Sequence, residues 1–86
     1  LNRVTLMNRF AKLLALARRN PDGLSFRDFE LLLVGIGFRL DRQSGSHLIY
    51  IAPNSQRFSI QRRDGMAKGY QVRQVIRWVE ENHDGQ

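Results

Sequence analysis

The sequence predicts a single α+β domain, a three-stranded antiparallel sheet with helices packed on one face, preceded by an additional N-terminal helix. Three observations predict it. The chain has 86 residues, and one this short buries only about 60% of the surface its unfolded form exposes, enough for one core. Apolar residues recur at helical spacing in three segments, but switch to period two between Phe38 and Gln61. Short turn-forming stretches separate the alternating segments, which implies an antiparallel meander. No internal repeat, linker or low-complexity segment interrupts residues 1–86, so they are read as one domain, with an extra helix over 6–19 and a core over 25–82.

The first helix is marked by Leu6, Met7, Phe10, Leu13, Leu14 and Ala17 on one stripe, with Arg9, Lys12, Arg18 and Arg19 mostly off it. Arg18 and Arg19 suit the negative end of its dipole. Leu1 to Leu6, ahead of Met7, are read as an upstream extension or an added remnant. Asn20-Pro21-Asp22-Gly23 stops the helix with turn chemistry. Ser25-Phe26-Arg27-Asp28 has the form of a capping box with Asp at the third helical position. Phe26, Phe29, Leu32, Leu33 and Ile36 carry the second helix's buried stripe, and Gly37 is its left-handed cap.

Phe38 to Arg42 then alternates apolar and charged, as a half-buried strand does. Ser44-Gly45-Ser46 is a turn, and His47 to Ala52 a second strand, apolar on both parities. After a turn at Pro53-Asn54-Ser55-Gln56, Arg57 to Gln61 alternates again as the third strand. Arg62 to Gly69 reads as a loop. Val72, Val75, Ile76 and Val79, at i, i+3, i+4 and i+7, mark the last helix. The sheet's apolar face is expected to hold Phe38, Leu40, Phe58 and Ile60, with the helices laid on it. Phe10, Phe26 and Phe29 are expected in the same core, while Trp78 lies beside the last helix's apolar stripe. The α-β-β-β-α order of the core resembles the double-stranded-RNA-binding fold.

Composition narrows the function. The net charge is +6, and the segment Arg39 to Arg77 alone carries it, with eight basic residues against Asp41 and Asp64. Twelve of the fourteen basic residues are arginine, whose planar fork binds phosphate bidentately and stacks on bases. A clustered arginine surface is the electrostatic footprint of a nucleic-acid binder. Cysteine is absent, which excludes disulfides and thiolate metal sites. No apolar run approaches the ~18 residues of a membrane span, and no signal-peptide cleavage site follows the short apolar run Leu13 to Ala17. A cytoplasmic location is expected, with no membrane partner.

The residues suited to chemistry gather in two clusters. The first is Arg42-Gln43-Ser44-Gly45-Ser46-His47. Histidine exchanges a proton near neutral pH, and RNA supplies its own nucleophile, the 2′-OH. A base that takes that proton lets the oxygen attack the adjacent phosphate, with no metal formally required, while nearby cations offset the growing negative charge. Gly45 lets the backbone approach a phosphate, and the Ser46 hydroxyl can bond one. The second cluster is Ala67-Lys68-Gly69-Tyr70-Gln71-Val72-Arg73-Gln74, at the start of the last helix. Backbone N–H groups at a helix start attract anions, with Lys68 adding charge, Tyr70 a stacking surface or a core contact, and Arg73 and then Arg77 a basic ridge. His83 lies in a polar tail and reads as a frayed helix end; it makes a poor metal pair with His47. No metal site and no cofactor are expected.

These two clusters resemble motifs of the HicA toxin family, RNA-cleaving partners in toxin–antitoxin pairs. The likeness runs from Phe26 to Val79: Phe26-Arg27-Asp28 at a helix start, Gly37-Phe38 at its end, Arg42-Gln43-Ser44-Gly45-Ser46-His47, and Gly65-Met66-Ala67-Lys68-Gly69-Tyr70-Gln71-Val72-Arg73-Gln74. The resemblance implies a metal-independent endoribonuclease that cuts mRNA and inhibits translation, with His47 catalytic. It also implies a HicB-type antitoxin that covers or blocks that site. Arg42, Gln43, Gly45, Ser46, Lys68, Tyr70 and Arg73 are the expected substrate-binding residues. The group that protonates the leaving oxygen stays open among Tyr50, Lys68 and Tyr70. Gly69 stands where one subgroup usually has proline, which is expected to loosen the last helix's start, and the helix up to Arg19 is extra relative to the shortest members. The alternative from another class is a non-catalytic RNA-binding module of double-stranded-RNA-binding type, suggested by the fold order with Lys68 and Arg73 at a helix start.

Overall fold

The computed structural model describes residues 3–82, with side chains from Asn8 onward. Leu6 and Met7 of the first apolar stripe, and His83, therefore lie outside the described side chains. Helix α1 (Arg3–Arg19) leads through a single 3-10 turn (Pro21–Gly23) to α2 (Phe26–Gly35). Strands β1 (Arg39–Ser44), β2 (His47–Ile51) and β3 (Arg57–Ile60) follow, then a two-residue-per-strand hairpin, β4 (Arg62–Arg63) and β5 (Met66–Ala67), and finally α3 (Gly69–Asn82). The main sheet has the order β1-β2-β3, antiparallel throughout.

Local chemistry sets these boundaries. The Ser25 hydroxyl caps α2 by accepting from Asp28 N at 3.1 Å. At the other end Gly37 N bonds Val34 O at 3.0 Å and Phe38 N bonds Leu33 O at 2.9 Å, the paired bonds of a Schellman cap. Between β1 and β2 the chain turns in two residues, with Ser44 paired to His47. Gly45 has φ +63° at the first turn position, a conformation a two-residue hairpin loop favours and glycine adopts at no steric cost.

The core joins the helices to one face of the sheet. Phe26, Phe29, Leu32 and Leu33 of α2, Val72 and Val75 of α3, and Ala17 of α1 meet Tyr50, Phe58 and Ile60 of the sheet. Phe38 packs its ring on Phe58 at 5.1 Å and edge-on against Trp78 at 4.9 Å. Trp78 is thus a core-margin residue, its indole N–H donating to Asn54 Oδ1 at 3.2 Å. Phe10 is half-buried over Gly35, where an added Cβ would lie 2.5 Å from the phenyl ring, so the glycine lets α1 lie close on α2.

Two expectations are corrected. Leu40 is not core but 51% exposed, because β1 is an edge strand whose pairing with β2 shifts between Leu40 and Arg42. The segment from Arg62 to Gly69 is not a plain loop. Asp64 (φ 50°) and Gly65 (φ 79°) form the mirror-image turn that closes β4 onto β5. That hairpin is tied to the start of α2 by Phe26 N to Gly65 O (2.9 Å) and Ala67 N to Leu24 O (3.0 Å). Helix α3 begins at Gly69 itself. Asp22 of the 3-10 turn packs directly against it, where any Cβ would collide with the carboxylate. The layout of three helices and a three-stranded antiparallel sheet is consistent with the double-stranded-RNA-binding fold.

Candidate functional site

His47 opens β2 on the sheet face away from the core. Along β2, Leu48 and Tyr50 point inward, so His47 and Ile49 point outward by strand alternation. The register Leu48↔Ile60 and Ile49↔Ser59 brings β3 alongside. One step further sets His47 beside Gln61, with Ser59 diagonal to it.

These neighbours build a hydrogen-bonded network. His47 Nδ1 lies 2.8 Å from Ser59 Oγ, and His47 Nε2 lies 3.3 Å from Gln61 Nε2. The Gln61 amide also reaches Ser46 Oγ at 3.4 Å. Its oxygen accepts from Lys68 Nζ at 2.8 Å. Lysine has only donors, so that contact identifies the amide oxygen and turns the NH2 toward His47. The ring nitrogen facing it must accept, which assigns the free lone pair to Nε2 and the proton to Nδ1, donated to Ser59. The Gln61 backbone N–H is held in turn by Gln71 Oε1 at 2.9 Å, and Gln71 Nε2 donates to the Tyr70 hydroxyl at 3.2 Å. Gln71 is 3% exposed, a buried polar anchor that ties the start of α3 to the end of β3.

The expected site residues separate into two groups. His47, Ser46 and Lys68 meet through Gln61, and Tyr70 joins through Gln71. Arg42 instead pairs with Asp41 at 3.1 Å. Gln43 bonds Gly45 O at 3.1 Å and braces the turn. Arg73 reaches Asp22 at 3.4 Å, away from the histidine. The Asp22 carboxylate beside Gly69 also takes up part of the anion-attracting start of α3. Tyr70 is 51% exposed, so its core alternative is set aside.

Tyr50 cannot act at this site. It is buried on the opposite face, with its hydroxyl donating to Glu30 Oε1 at 2.6 Å. Burial, then the bond to Glu30 and that residue's charge, push its phenol well above its ordinary range. Ser59 and Gln61 were missed by sequence reasoning, and Gln71 stood in the second cluster without a role. They lie 12, 14 and 24 residues from His47, and only the β2–β3 register and the docking of α3 make them neighbours. The expected four-residue turn would have paired His47 with Arg62; Ile51 instead pairs with Arg57 across a five-residue connection, and that shift sets His47 beside Gln61.

An α+β domain of this layout, with a histidine on the exposed rim of its sheet and a lysine linked to it through Gln61, has the form of the double-stranded-RNA-binding fold. The family comparison is more specific. Residues 26–80 match the family model described as the HicA toxin of bacterial toxin–antitoxin systems, and the chain belongs to that family. No curated protein and no solved structure gives a significant match. The matched span covers the capped start of α2, the histidine turn and most of α3, and leaves α1 outside it. Among the described residues no helix is long and apolar enough to cross a membrane.

Proposed function

We propose that the protein is an endoribonuclease toxin that cleaves mRNA in the cytoplasm and so inhibits translation, held in check by a HicB-type antitoxin. The observation that carries this reading is the His47 network: an exposed imidazole whose Nε2 lone pair meets the Gln61 amide, with Lys68 one side chain away.

In this mechanism the substrate 2′-OH takes the place of the Gln61 amide as the donor to His47 Nε2. The imidazole removes the proton and the 2′-oxygen attacks the adjacent phosphorus. The bond to the 5′-oxygen breaks, leaving a 2′,3′-cyclic phosphate on one product. The 5′-oxygen leaves with a proton, for which Lys68 and Tyr70 are the remaining donors. Ser59 holds the ring through Nδ1–H and stabilises the imidazolium once it forms. Lys68 offsets charge on the phosphoryl oxygens. Nothing in the sequence of steps calls on a metal ion. The site is open on the surface, so a protein laid over the rim of β2 and β3 would close it.

The test is expression of the wild-type and His47→Ala chains without antitoxin. Growth arrest and loss of intact mRNA are expected with the wild type alone. Equal growth and equal RNA integrity in both would remove the basis of the reading, and restored growth on co-expression of a HicB-type protein would support the antitoxin role.

A further inference from the structure

The order β1-β2-β3 leaves β3 at the sheet edge, and α3 runs beside it. Between them lies an open groove of about 580 Å³. Gln56, Arg57 and Ser59 line it from the strand side, and Tyr70, Gln74 and Arg77 from the helix side. The three helix residues fall at i, i+4 and i+7, one continuous face of α3.

We propose that this groove binds a single-stranded segment of RNA contiguous with the strand presented to His47. The proposal rests on the RNA-cleaving reading and names the form of its substrate. Three properties favour a nucleic-acid strand as occupant. Ser59 belongs both to the groove and to the histidine's hydrogen bonds, so the groove opens onto the base. Arg57 and Arg77 face one another across it, and among the described residues neither guanidinium enters an ion pair, which leaves both for phosphate. Tyr70 presents a half-exposed ring at the end nearest Lys68, a platform on which a base of any identity stacks. Gln56 and Gln74 add amides for base edges. Glu81 marks the far end with the opposite charge, so the electrostatic pull on a polyanion rises toward the histidine. A cleft between one strand and one helix admits one chain with its bases splayed; a duplex would meet only its rim.

The test uses the intact chain and a short 2′-O-methyl RNA, which lacks the nucleophile and reports binding without cleavage. Fluorescence anisotropy is recorded for the single strand and for its duplex across a salt series. The wild type is expected to favour the single strand. Tyr70→Ala weakens that binding about tenfold. The Arg57→Ala/Arg77→Ala pair makes the plot of log affinity against log salt shallower by about 1.4, two phosphate contacts at ~0.7 each for a single strand. The control pair Arg18→Ala/Arg19→Ala removes the same charge from α1 and changes affinity less than about twofold. All of these side chains except the Tyr70 ring are simple surface charges, and melting curves confirm that each variant is folded.

An affinity and salt slope left unchanged in the Arg57/Arg77 pair, or preference for the duplex, overturns the groove assignment while His47-dependent cleavage still stands. Loss of antitoxin binding with RNA binding intact also overturns it, and assigns the groove to a protein strand. Absence of both strand binding and cleavage in the wild type removes the underlying reading instead.

Discussion

Replacing Tyr50 by phenylalanine separates the protein's stability from its chemistry. The hydroxyl donates to the Glu30 carboxylate at 2.6 Å from a side chain only 3% exposed. A hydrogen bond to a charged group contributes about 1.5–3 kcal/mol. Glu30 is half-buried and regains water when the phenol is removed, so the cost of Tyr50→Phe falls at the lower end, about 1.5 kcal/mol. For a domain of this size that lowers Tm by roughly 6–12 °C. The loss also carries a pH signature. The folded-state phenol titrates above its ordinary value because of burial and Glu30. A group raised on folding contributes stability that is complete below its unfolded value, near 10, and is lost as pH climbs through the folded value. The gap in Tm between wild type and Tyr50→Phe is therefore constant at neutral pH and narrows above about pH 10. Thermal melts over a pH series measure both. RNA cleavage by the variant is expected to match the wild type at a temperature where both are folded. A folded Tyr50→Phe chain that no longer cuts RNA, or one that melts with the wild type, would refute the assignment of this tyrosine to the core.

Other outcomes follow from the same contacts. Gln61→Glu turns the donor facing His47 Nε2 into an acceptor and moves the ring proton to Nε2, so cleavage drops about a hundredfold with Tm little changed; imidazole nitrogen NMR reads the tautomer directly, and an unshifted spectrum would contradict the network. Ser25→Ala removes the α2 cap and lowers stability by about 1 kcal/mol in urea melts, with no effect on RNA cleavage per folded molecule. Gly69→Pro alone forces the Asp22 carboxylate aside and fails to stabilise, whereas Gly69→Pro with Asp22→Ala gains about 0.4–1 kcal/mol by restricting the unfolded chain.

Most of the scaffold was legible because its signals are local. The Ser25-to-Asp28 cap, the Gly37 stop and the period-two run up to Gln61 each act within a few residues, and the elements form where those signals stand. Leu40 went astray because alternation reports which side a residue faces, not whether anything covers it. On an edge strand with shifted pairing the inward side is left bare. The small hairpin at Arg62–Ala67 was signalled only by Asp64-Gly65, since two residues per strand show no period. The histidine and its turn were visible as a motif. Its partners were not, because Ser59, Gln61 and Gln71 have no chemistry of note in isolation. They acquire a role only when strand register and helix docking bring them to the imidazole. Lys68 was singled out for phosphate, yet in the free protein its amine is engaged by Gln61, a contact that no spacing rule foretells.

The central claim is that His47 acts as the base in a cleavage that uses the RNA's own 2′-OH. The direct measurement is the chemistry of the ends produced from a defined RNA by the purified chain, with and without a chelator, beside His47→Ala. The account predicts 2′,3′-cyclic phosphate and 5′-hydroxyl ends, unchanged by chelation and absent with His47→Ala. Ends bearing a 5′-phosphate, or cleavage that persists in His47→Ala, would contradict it.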